Sequence, residues 1–266
     1  MSFSIAGKTA IVTGAANGIG LAIGRHFADM GANVMFADMD ERKLSEELGA
    51  QAEDGNIRYF AGDLREKLTI TNLLSATIDA FDEIDILVNG SRQVMTTDAL
   101  DPDDTSVETL MAQNLMISLR LSQAVAKKMI KQSADDTSGS AGSIINLSSI
   151  AARRTNPEML AYSVSTAALD QMTRSLSVAL AHHQIRVNAI AFGSVMSASL
   201  QRTLKDNSDL RTDIENHTPL QRIAAPGALV DVAQFLASEA SAFMTGEIVT
   251  VDGGRSLLDS VSAPAH

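Results

Sequence analysis

The feature that most constrains the fold is a short apolar run that leads into a glycine-bearing turn and then into a helical pattern. The run is Ala10-Ile11-Val12, the turn spans Gly14 to Gly20, and apolar residues then recur at helical spacing until Gly31. Ile and Val favour strands, whereas apolar residues three and four positions apart are typical of a helix with one buried face. This region therefore predicts a strand, a turn and a helix in succession.

The same alternation continues along the chain. Further apolar runs that we interpret as strands lie at 33–37, 57–60, 84–88, 143–147, 185–190 and 247–251. Helical patterns separate them, and two of these are long, at 107–131 and 158–183. Strands that alternate with helices predict an α/β protein with a parallel sheet, and near-continuous apolar strands are typical of a sheet covered on both faces. Because no linker or repeat divides the chain, we expect residues 1–266 to form a single domain.

Two segments depart from this pattern. Residues 132–142 are rich in Ser, Asp and Gly, which predicts a surface loop. Residues 193–218 have weak periodicity and are long for a loop in a compact domain, so they predict a mobile lid over a substrate, with short helices of its own.

The charge balance and the lack of cysteine exclude several classes of protein. The chain has 21 Lys and Arg against 32 Asp and Glu, a net charge of −11, which repels nucleic acid and anionic membranes. It has no Cys, so disulfides, zinc–thiolate sites and a thiol nucleophile are excluded. No metal site is predicted. Without a long apolar run, we expect a cytoplasmic protein that binds neither a membrane nor nucleic acid.

The glycine-bearing turn points to a dinucleotide cofactor. A turn of this kind places backbone N–H groups at the start of a helix, where they meet the charge of a pyrophosphate. Asp38 lies at the end of the second predicted strand, 18 residues after Gly20. A carboxylate there accepts hydrogen bonds from a ribose and repels a 2′-phosphate, which favours NAD(H) over NADP(H). Two alternatives stay open: a turn that holds no ligand, and an Asp38 that only caps the next helix.

Several motifs together resemble the short-chain dehydrogenase/reductase family over nearly the whole chain. They are T-G-x-x-x-G-I-G from Thr13 to Gly20, Asp63-Leu64, Thr245-Gly246 and Val251-Asp252-Gly253-Gly254. The resemblance implies one doubly wound Rossmann-like domain of about seven parallel strands with helices on both faces, often assembled as a homotetramer. It also implies cofactor contacts from Gly14, Asn17, Gly18, Ile19, Gly20, Asp38, Asp63, Leu64, Asn89 and Gly193.

The family resemblance also implies a catalytic set. Tyr162 matches the acid/base, which transfers the hydroxyl proton while a hydride passes between substrate and nicotinamide. Ser149, 13 residues earlier, matches the residue that orients the substrate oxygen, with Ser148 as the weaker candidate. Asn114 matches an Asn that helps to hold a proton-relay water. The implied reaction interconverts a secondary alcohol and a ketone.

The sequence departs from the family pattern at three places. The pattern Y-x-x-x-K ends here in Thr166, so the lysine charge that lies beside the tyrosine in relatives is missing. The usual N-N-A-G is Asn89-Gly90-Ser91-Arg92, and the usual Pro-Gly is Phe192-Gly193. We expect a reshaped cofactor site and weakened catalysis.

Three arginines could in principle replace the missing charge: Arg92, Arg153 and Arg154. An arginine cannot share the position of the lysine without changes in the backbone, so we interpret all three as solvated surface residues. The sequence therefore favours an NAD(H)-dependent oxidoreductase of reduced activity. A catalytically silent NAD-binding or scaffold subunit is the alternative.

Overall fold

The computed structural model describes residues 2–52, 55–134 and 140–259. Within these ranges, seven parallel strands form one sheet in the order β3-β2-β1-β4-β5-β6-β7. The strands are β1 (Thr9–Thr13), β2 (Asn33–Asp38), β3 (Ile57–Ala61), β4 (Ile86–Asn89), β5 (Gly142–Ser149), β6 (Ile185–Phe192) and β7 (Ile248–Val251). The strand order reverses between β1 and β4, and ligands bind such sheets at the carboxyl ends beside this switch point. The predicted doubly wound α/β fold is confirmed.

Helices cover the sheet on both faces. They are α1 (Gly18–Asp29), α2 (Glu41–Leu48), α3 (Lys67–Phe81), α4 (Ser106–Leu110), α5 (Ile117–Gln132), α6 (Leu160–Leu180), α7 (Ala198–Asp206), α8 (Ser208–Asn216) and α9 (Gly227–Ala237). A π-helical segment, Met111–Met116, joins α4 to α5. The long helix predicted at 107–131 is therefore interrupted by a wider turn, a feature that often marks functional sites. Among the described helices, none combines the length and apolar character that crossing a bilayer requires.

The two faces of the sheet bury alternate residues of the same strands. On one face, Ile11 and Ile144 pack in a cluster with residues of α3 and α5. On the other face, Val12 and Ile145 pack in a cluster with residues of α1 and α9. Successive side chains of a strand point to opposite sides, so a sheet with two covered faces needs apolar residues at almost every position. This explains the uninterrupted apolar runs.

The strands differ from their predicted bounds mainly at the carboxyl ends. β5 extends to Ser149, where the prediction ended it at 147, and β6 extends to Phe192, where the prediction ended it at 190. These last residues pair with each other in register. Hydrogen bonding to the neighbouring strand, rather than the apolar run, sets where each strand ends.

The structure shows which helices and strands the two irregular segments contain or border. Residues 193–218 contain α7 and α8, which confirms the expected short helices. The predicted loop at 132–142 lies between α5 and β5: α5 ends at Gln132, and β5 begins at Gly142. Residues 135–139 of that loop lie outside the described residues.

Candidate active site

The glycine-bearing turn lies at the carboxyl end of β1 and leads into α1. Asn17 precedes the helix, and its side chain makes no capping hydrogen bond. A Cβ on Gly20 would lie 2.3 Å from the carbonyl oxygen of Gly14, and one on Gly14 would lie 2.5 Å from that of Gly90. At Gly18, which has φ +57°, no heavy atom lies within 4 Å of such a Cβ. The turn thus packs tightly against the segment after β4, while the start of α1 stays open to an anionic ligand.

Asp38 ends β2 and holds the same turn in place. Its Oδ2 accepts a hydrogen bond from the N–H of Ala16 (3.1 Å), and its Oδ1 accepts one from the N–H of Asp40 (3.1 Å). Helix α2 is capped by Asp40, which accepts from the N–H of Lys43, so Asp38 is not its cap. A carboxylate has about four acceptor positions. Asp38 therefore keeps acceptors for the hydroxyls of a ribose.

Asp63 and Leu64 line a recess together with Asp38, at the carboxyl ends of β2 and β3. The Arg65 side chain donates from Nε to Asp63 Oδ1 (2.9 Å). This hydrogen bond holds the pKa of the Asp63 carboxyl below its usual value. The negative charge of Asp63 is therefore already paired with Arg65.

A cleft of about 710 Å³ runs from the turn to the predicted catalytic residues. Ile19 of the turn lines it, as do Ser149 and Tyr162. Further lining residues follow β6 or belong to the segment predicted as a lid, among them Gly193, Ser197, Leu200, Asp213 and His217. The structure thus brings Ile19 of the predicted cofactor turn, two of the predicted catalytic residues and part of the predicted lid to one cleft, while Asn114 and Thr166 line a small recess beside Tyr162.

Ser148 and Ser149 point to different surroundings although they are neighbours. The Ser149 side chain lines the cleft, and its Oγ accepts from the N–H of Ala151 (3.1 Å). The Ser148 hydroxyl instead donates to Asp170 Oδ1 (2.6 Å) in the interior. Burial raises the pKa of the Asp170 carboxyl, and the Ser148 hydrogen bond and the nearby Arg153 partly offset this rise. Of the two serines, Ser149 is the one that lines the cleft, and its role toward a substrate stays a prediction.

Tyr162 lies on α6, is 5% exposed and packs in a small cluster with Leu110 and Ala161. Thr166 follows one helical turn later and is also buried. Its hydroxyl donates to the carbonyl oxygen of Tyr162 (2.8 Å), with that of Ser163 at 3.1 Å. Thr166 therefore bonds the backbone of its own helix and brings no charge to the phenol.

Arg92 reaches the Tyr162 hydroxyl from the segment after β4. Its Nη1 lies 3.1 Å from Tyr162 Oη, and its Cζ lies 4.3 Å from the centroid of the Phe192 ring. Arg92 is exposed, as predicted, and its guanidinium also contacts the Tyr162 hydroxyl and the Phe192 ring. Sequence reasoning treated Arg92 and Phe192 as two separate mismatches, and the structure shows them in contact.

The other two arginines are exposed, as predicted, and also have protein partners. Arg153 Nη2 lies 3.9 Å from Asp170 Oδ2. The guanidinium of Arg154 donates from Nε to the carbonyl oxygen of Ser256 (2.9 Å). Neither of these contacts brings a charge to Tyr162.

Asn114 lies in the π-helical segment and is buried. Its Oδ1 accepts from the N–H of Gln93 (2.8 Å), and its Nδ2 donates to the carbonyl oxygen of Gln93 (2.9 Å) and to Ser165 Oγ (3.2 Å). Three bonds thus occupy its side-chain amide. Asn114 fixes the backbone next to Arg92, a role that sequence reasoning missed, and its predicted role with a relay water stays a prediction.

Asn89 ends β4 and carries an unsatisfied acceptor. Its Nδ2 donates to Ser122 Oγ (3.0 Å) and to Asn146 Oδ1 (2.8 Å), whereas its Oδ1 has no hydrogen-bond partner among the described residues. Asn89 lines a small recess with Tyr162 and Thr166. Buried acceptors are nearly always paired, so this oxygen fits a donor from a bound ligand. Together with the open start of α1 and the acceptors of Asp38, it makes the site compatible with a nicotinamide dinucleotide.

Comparison with known proteins agrees with this geometry. Residues 14–256 match the family model described as "Enoyl-(Acyl carrier protein) reductase". L-fucose dehydrogenase of Mus musculus is 33% identical over 257 residues, which cover 94% of this chain and 89% of that protein.

Two solved structures have the same fold. A 7α-hydroxysteroid dehydrogenase complexed with NADH and 7-oxo glycochenodeoxycholic acid is 29% identical, with a TM-score of 0.86 and coverage of 95% of this chain and 96% of that one. A gluconate 5-dehydrogenase from Burkholderia cenocepacia, in complex with NADP and tartrate, is 29% identical, with a TM-score of 0.86 and coverage of 97% and 98%.

The sheet and the cleft are those of a Rossmann-like fold, and relatives named dehydrogenases identify the chain as an oxidoreductase. The chain belongs to the short-chain dehydrogenase/reductase family, which confirms the resemblance seen in its sequence. One structural neighbour holds NADH and the other NADP, so both coenzymes occur among its relatives.

Proposed function

We propose that the protein is an NAD(H)-dependent oxidoreductase that interconverts a secondary alcohol and a ketone. The observation that carries this proposal is the single cleft that joins the glycine-bearing turn to Ser149 and Tyr162. The preference for NAD(H) rests on Asp38, whose carboxylate keeps acceptors for a ribose and repels a 2′-phosphate.

The predicted cofactor residues, Ser149 and Tyr162 then have roles. The start of α1, with Gly14, Asn17, Gly18, Ile19 and Gly20, holds the pyrophosphate; Asp38, Asp63 and Leu64 hold the adenosine half, and Asn89 and Gly193 hold the nicotinamide half. The bound coenzyme accepts or supplies a hydride. Ser149 orients the substrate oxygen, and the Tyr162 hydroxyl gives or takes the proton on that oxygen.

The substrate is a small alcohol or ketone, with sugars and polyols as first candidates because a relative is an L-fucose dehydrogenase. Residues 193–218 act as the lid. Helices α7 and α8 follow β6 along the chain, and Leu200, Asp213 and His217 of this segment line the cleft. The chain works as one domain in a cytoplasmic homo-oligomer, and neither nucleic acid nor a membrane is among its partners.

Calorimetry with NADH and NADPH tests the coenzyme assignment. We expect the wild type to bind NADH at least tenfold more tightly than NADPH. Asp38→Ala, which removes the repulsion, shifts the ratio of the two affinities toward NADPH by tenfold or more, whereas Asp38→Asn keeps one acceptor and shifts it less. Lack of NADH binding at millimolar concentration would overturn the proposal.

A second candidate, an NAD-binding subunit without activity, is favoured by two observations. The Arg92 guanidinium lies over Phe192 within the cleft, and Thr166 supplies no charge. A panel of secondary alcohols with wild type and Thr166→Lys separates the two functions. NADH-dependent turnover in the wild type, or turnover that appears in the variant, supports the enzyme, and NADH binding without turnover in either protein supports the silent subunit.

A further inference from the structure

We propose that Arg92 is the cation that stabilises the ionised phenol of Tyr162, replacing a charge that α6 does not provide. The proposal rests on the proposed function, and it adds a residue to the proton-transfer site. The guanidinium donates to the phenol oxygen itself, at 3.1 Å. Hydrogen bonds from a charged donor are roughly twice as strong as neutral ones, and they strengthen further when the acceptor becomes an anion.

The Arg92 guanidinium is held in place although the residue is exposed. The ring of Phe192, which is 2% exposed, lies 4.3 Å from Cζ and supports the cation from one side. Phe192 is the last residue of β6, so this support belongs to the rigid sheet. A freely solvated arginine has no such fixed surface beneath it.

The backbone on both sides of Arg92 is also fixed. Before it, the N–H of Ser91 donates to Thr13 Oγ1 (3.2 Å) at the end of β1. After it, the peptide groups of Gln93 bond the amide of Asn114 at 2.8 and 2.9 Å. The side chain therefore starts from a defined position between β1 and the π-helical segment.

Four of the other charged groups that line the cleft have described partners, and none of these partners is Tyr162. The charged groups that line the cleft besides Arg92 are Arg154, Arg255, Asp213, His217 and Asp259. Arg154 bonds the carbonyl oxygen of Ser256, and Arg255 bonds Ser194 Oγ. The Nδ1 atom of His217 lies 3.1 Å from Oδ1 of Asp213. On α6 itself, Asp170 bonds Ser148 and faces Arg153. Among the charged side chains with described contacts, Arg92 is the one that bonds the Tyr162 hydroxyl.

The proton transfer then has a defined course. In alcohol oxidation, the substrate O–H bond breaks and its proton goes to the phenolate oxygen of Tyr162, while the hydride on the neighbouring carbon would leave to the coenzyme and the oxygen's electron pair forms the C=O bond. In ketone reduction, the carbonyl carbon would receive a hydride from the coenzyme, and the proton moves back from the phenol to the oxygen. Arg92 stays protonated in both directions, because a guanidinium does not give up its proton in proteins. Its effect is to hold a positive charge against the oxygen that gives or takes the proton.

The ultraviolet absorbance of tyrosinate tests this pairing without coenzyme. The chain has 2 Tyr and no Trp, so the titration reports Tyr59 and Tyr162 alone, and a Tyr162→Phe variant isolates the contribution of Tyr162. We expect Arg92→Gln to move the midpoint for Tyr162 upward by about one pH unit or more, since a unit charge at hydrogen-bond distance has an effect of this size. Arg92→Lys keeps the charge, so we expect its midpoint for Tyr162 to stay close to that of the wild type.

Arg154→Gln is the matched control, because it removes the same charge from the same cleft but not from the phenol. We expect its shift to be less than half of that in Arg92→Gln. In the double variant Arg92→Gln/Thr166→Lys, the new charge on α6 returns the midpoint toward that of the wild type. An Arg92→Gln midpoint that moves no further than that of Arg154→Gln overturns the proposal.

A second measurement separates this proposal from the proposed function. In the active enzyme, Arg92→Gln lowers kcat/KM for alcohol oxidation at least tenfold at neutral pH, and the loss shrinks as the pH rises. A shifted titration without NADH binding would keep the Arg92–Tyr162 pairing and overturn the proposed function. NADH-dependent turnover with an unshifted titration would overturn the pairing and keep the function.

Discussion

Ser149 and Phe192 stand side by side as the last residues of two neighbouring parallel strands, paired in register at the carboxyl ends of β5 and β6. One supplies a hydroxyl in the cleft, and the other supplies the ring over which Arg92 lies. Strand pairing therefore sets the distance between the proposed substrate-orienting group and the support of the proposed cation. Changes at either strand end should alter the chemistry more than the fold.

The two adjacent serines provide a matched pair of variants. Ser149→Ala removes the hydroxyl from the cleft, so kcat/KM falls by about 100-fold or more, and loss of its bond to the Ala151 N–H lowers the free energy of unfolding by about 0.5–2 kcal/mol. Ser148→Ala removes the donor to buried Asp170, so the free energy of unfolding falls by about 1–3 kcal/mol while kcat/KM changes by less than a few-fold. Steady-state kinetics and urea unfolding on both variants check this. A larger kinetic loss in Ser148→Ala would contradict the assignment.

Asn114→Ala should loosen the segment that carries Arg92. The change removes three hydrogen bonds to Gln93 and Ser165, so we expect the free energy of unfolding to fall by about 1–3 kcal/mol. We also expect the tyrosinate titration to shift in the direction of Arg92→Gln. The neighbouring Gln113→Ala loses one 3.3 Å bond to Ser91 and is the control, with a change within about 0.5 kcal/mol. Equal effects in both variants would argue against a positioning role.

Gly20→Ala should damage the turn that starts α1. Its Cβ would lie 2.3 Å from the carbonyl oxygen of Gly14, so the backbone must move, at a cost of about 1–3 kcal/mol, and NADH binding weakens at least tenfold. Gly227→Ala at the start of α9 meets open space and is neutral or stabilising by up to about 1 kcal/mol. Thermal unfolding and calorimetry with NADH measure both effects. Unchanged NADH affinity in Gly20→Ala would remove the turn from the cofactor site.

Asp170→Asn should stabilise the protein in a pH-dependent way. Burial raises the pKa of this carboxyl in the folded state above its ordinary value of 3.8, so folding favours its protonated form. The protonated carboxyl contributes stability at low pH, and this contribution is lost as the pH rises through the folded pKa. The variant is therefore more stable than the wild type at pH 7, and the difference shrinks as the pH falls toward 3.8.

Urea unfolding between neutral pH and the acid limit of the folded protein measures this difference. Ser148→Ala provides the check on the cause. The Ser148 hydroxyl lowers the pKa of Asp170, so its removal makes the pH dependence of stability steeper. An Asp170→Asn variant that is less stable than the wild type at every pH would show that the ion pair with Arg153 outweighs the cost of burial.

Most of the fold follows from local patterns. Apolar runs of strand length, helical spacing between them and the turn from Gly14 to Gly20 are short-range signals, and they predict an α/β sheet with a cofactor site at the end of β1. The strand ends at Ser149 and Phe192 were not predictable from the runs, because pairing with a neighbouring strand sets them. The break at Met111–Met116 was missed for a similar reason, since Asn114 there bonds a distant backbone segment.

The amino-acid order was enough to place Tyr162, Ser149 and Asp38 in a family pattern and to show that Thr166 lacks the expected charge. It could not show that Arg92, 70 residues before Tyr162, bonds the phenol. That contact depends on how β4, β6 and α6 pack against each other, and on the Phe192 ring at the end of β6. A motif records neighbours along the chain, whereas an electrostatic interaction depends on distance in space. The missing charge at Thr166 on α6 can therefore be read from the sequence, but the guanidinium of Arg92 beside Tyr162 is seen only in the folded protein.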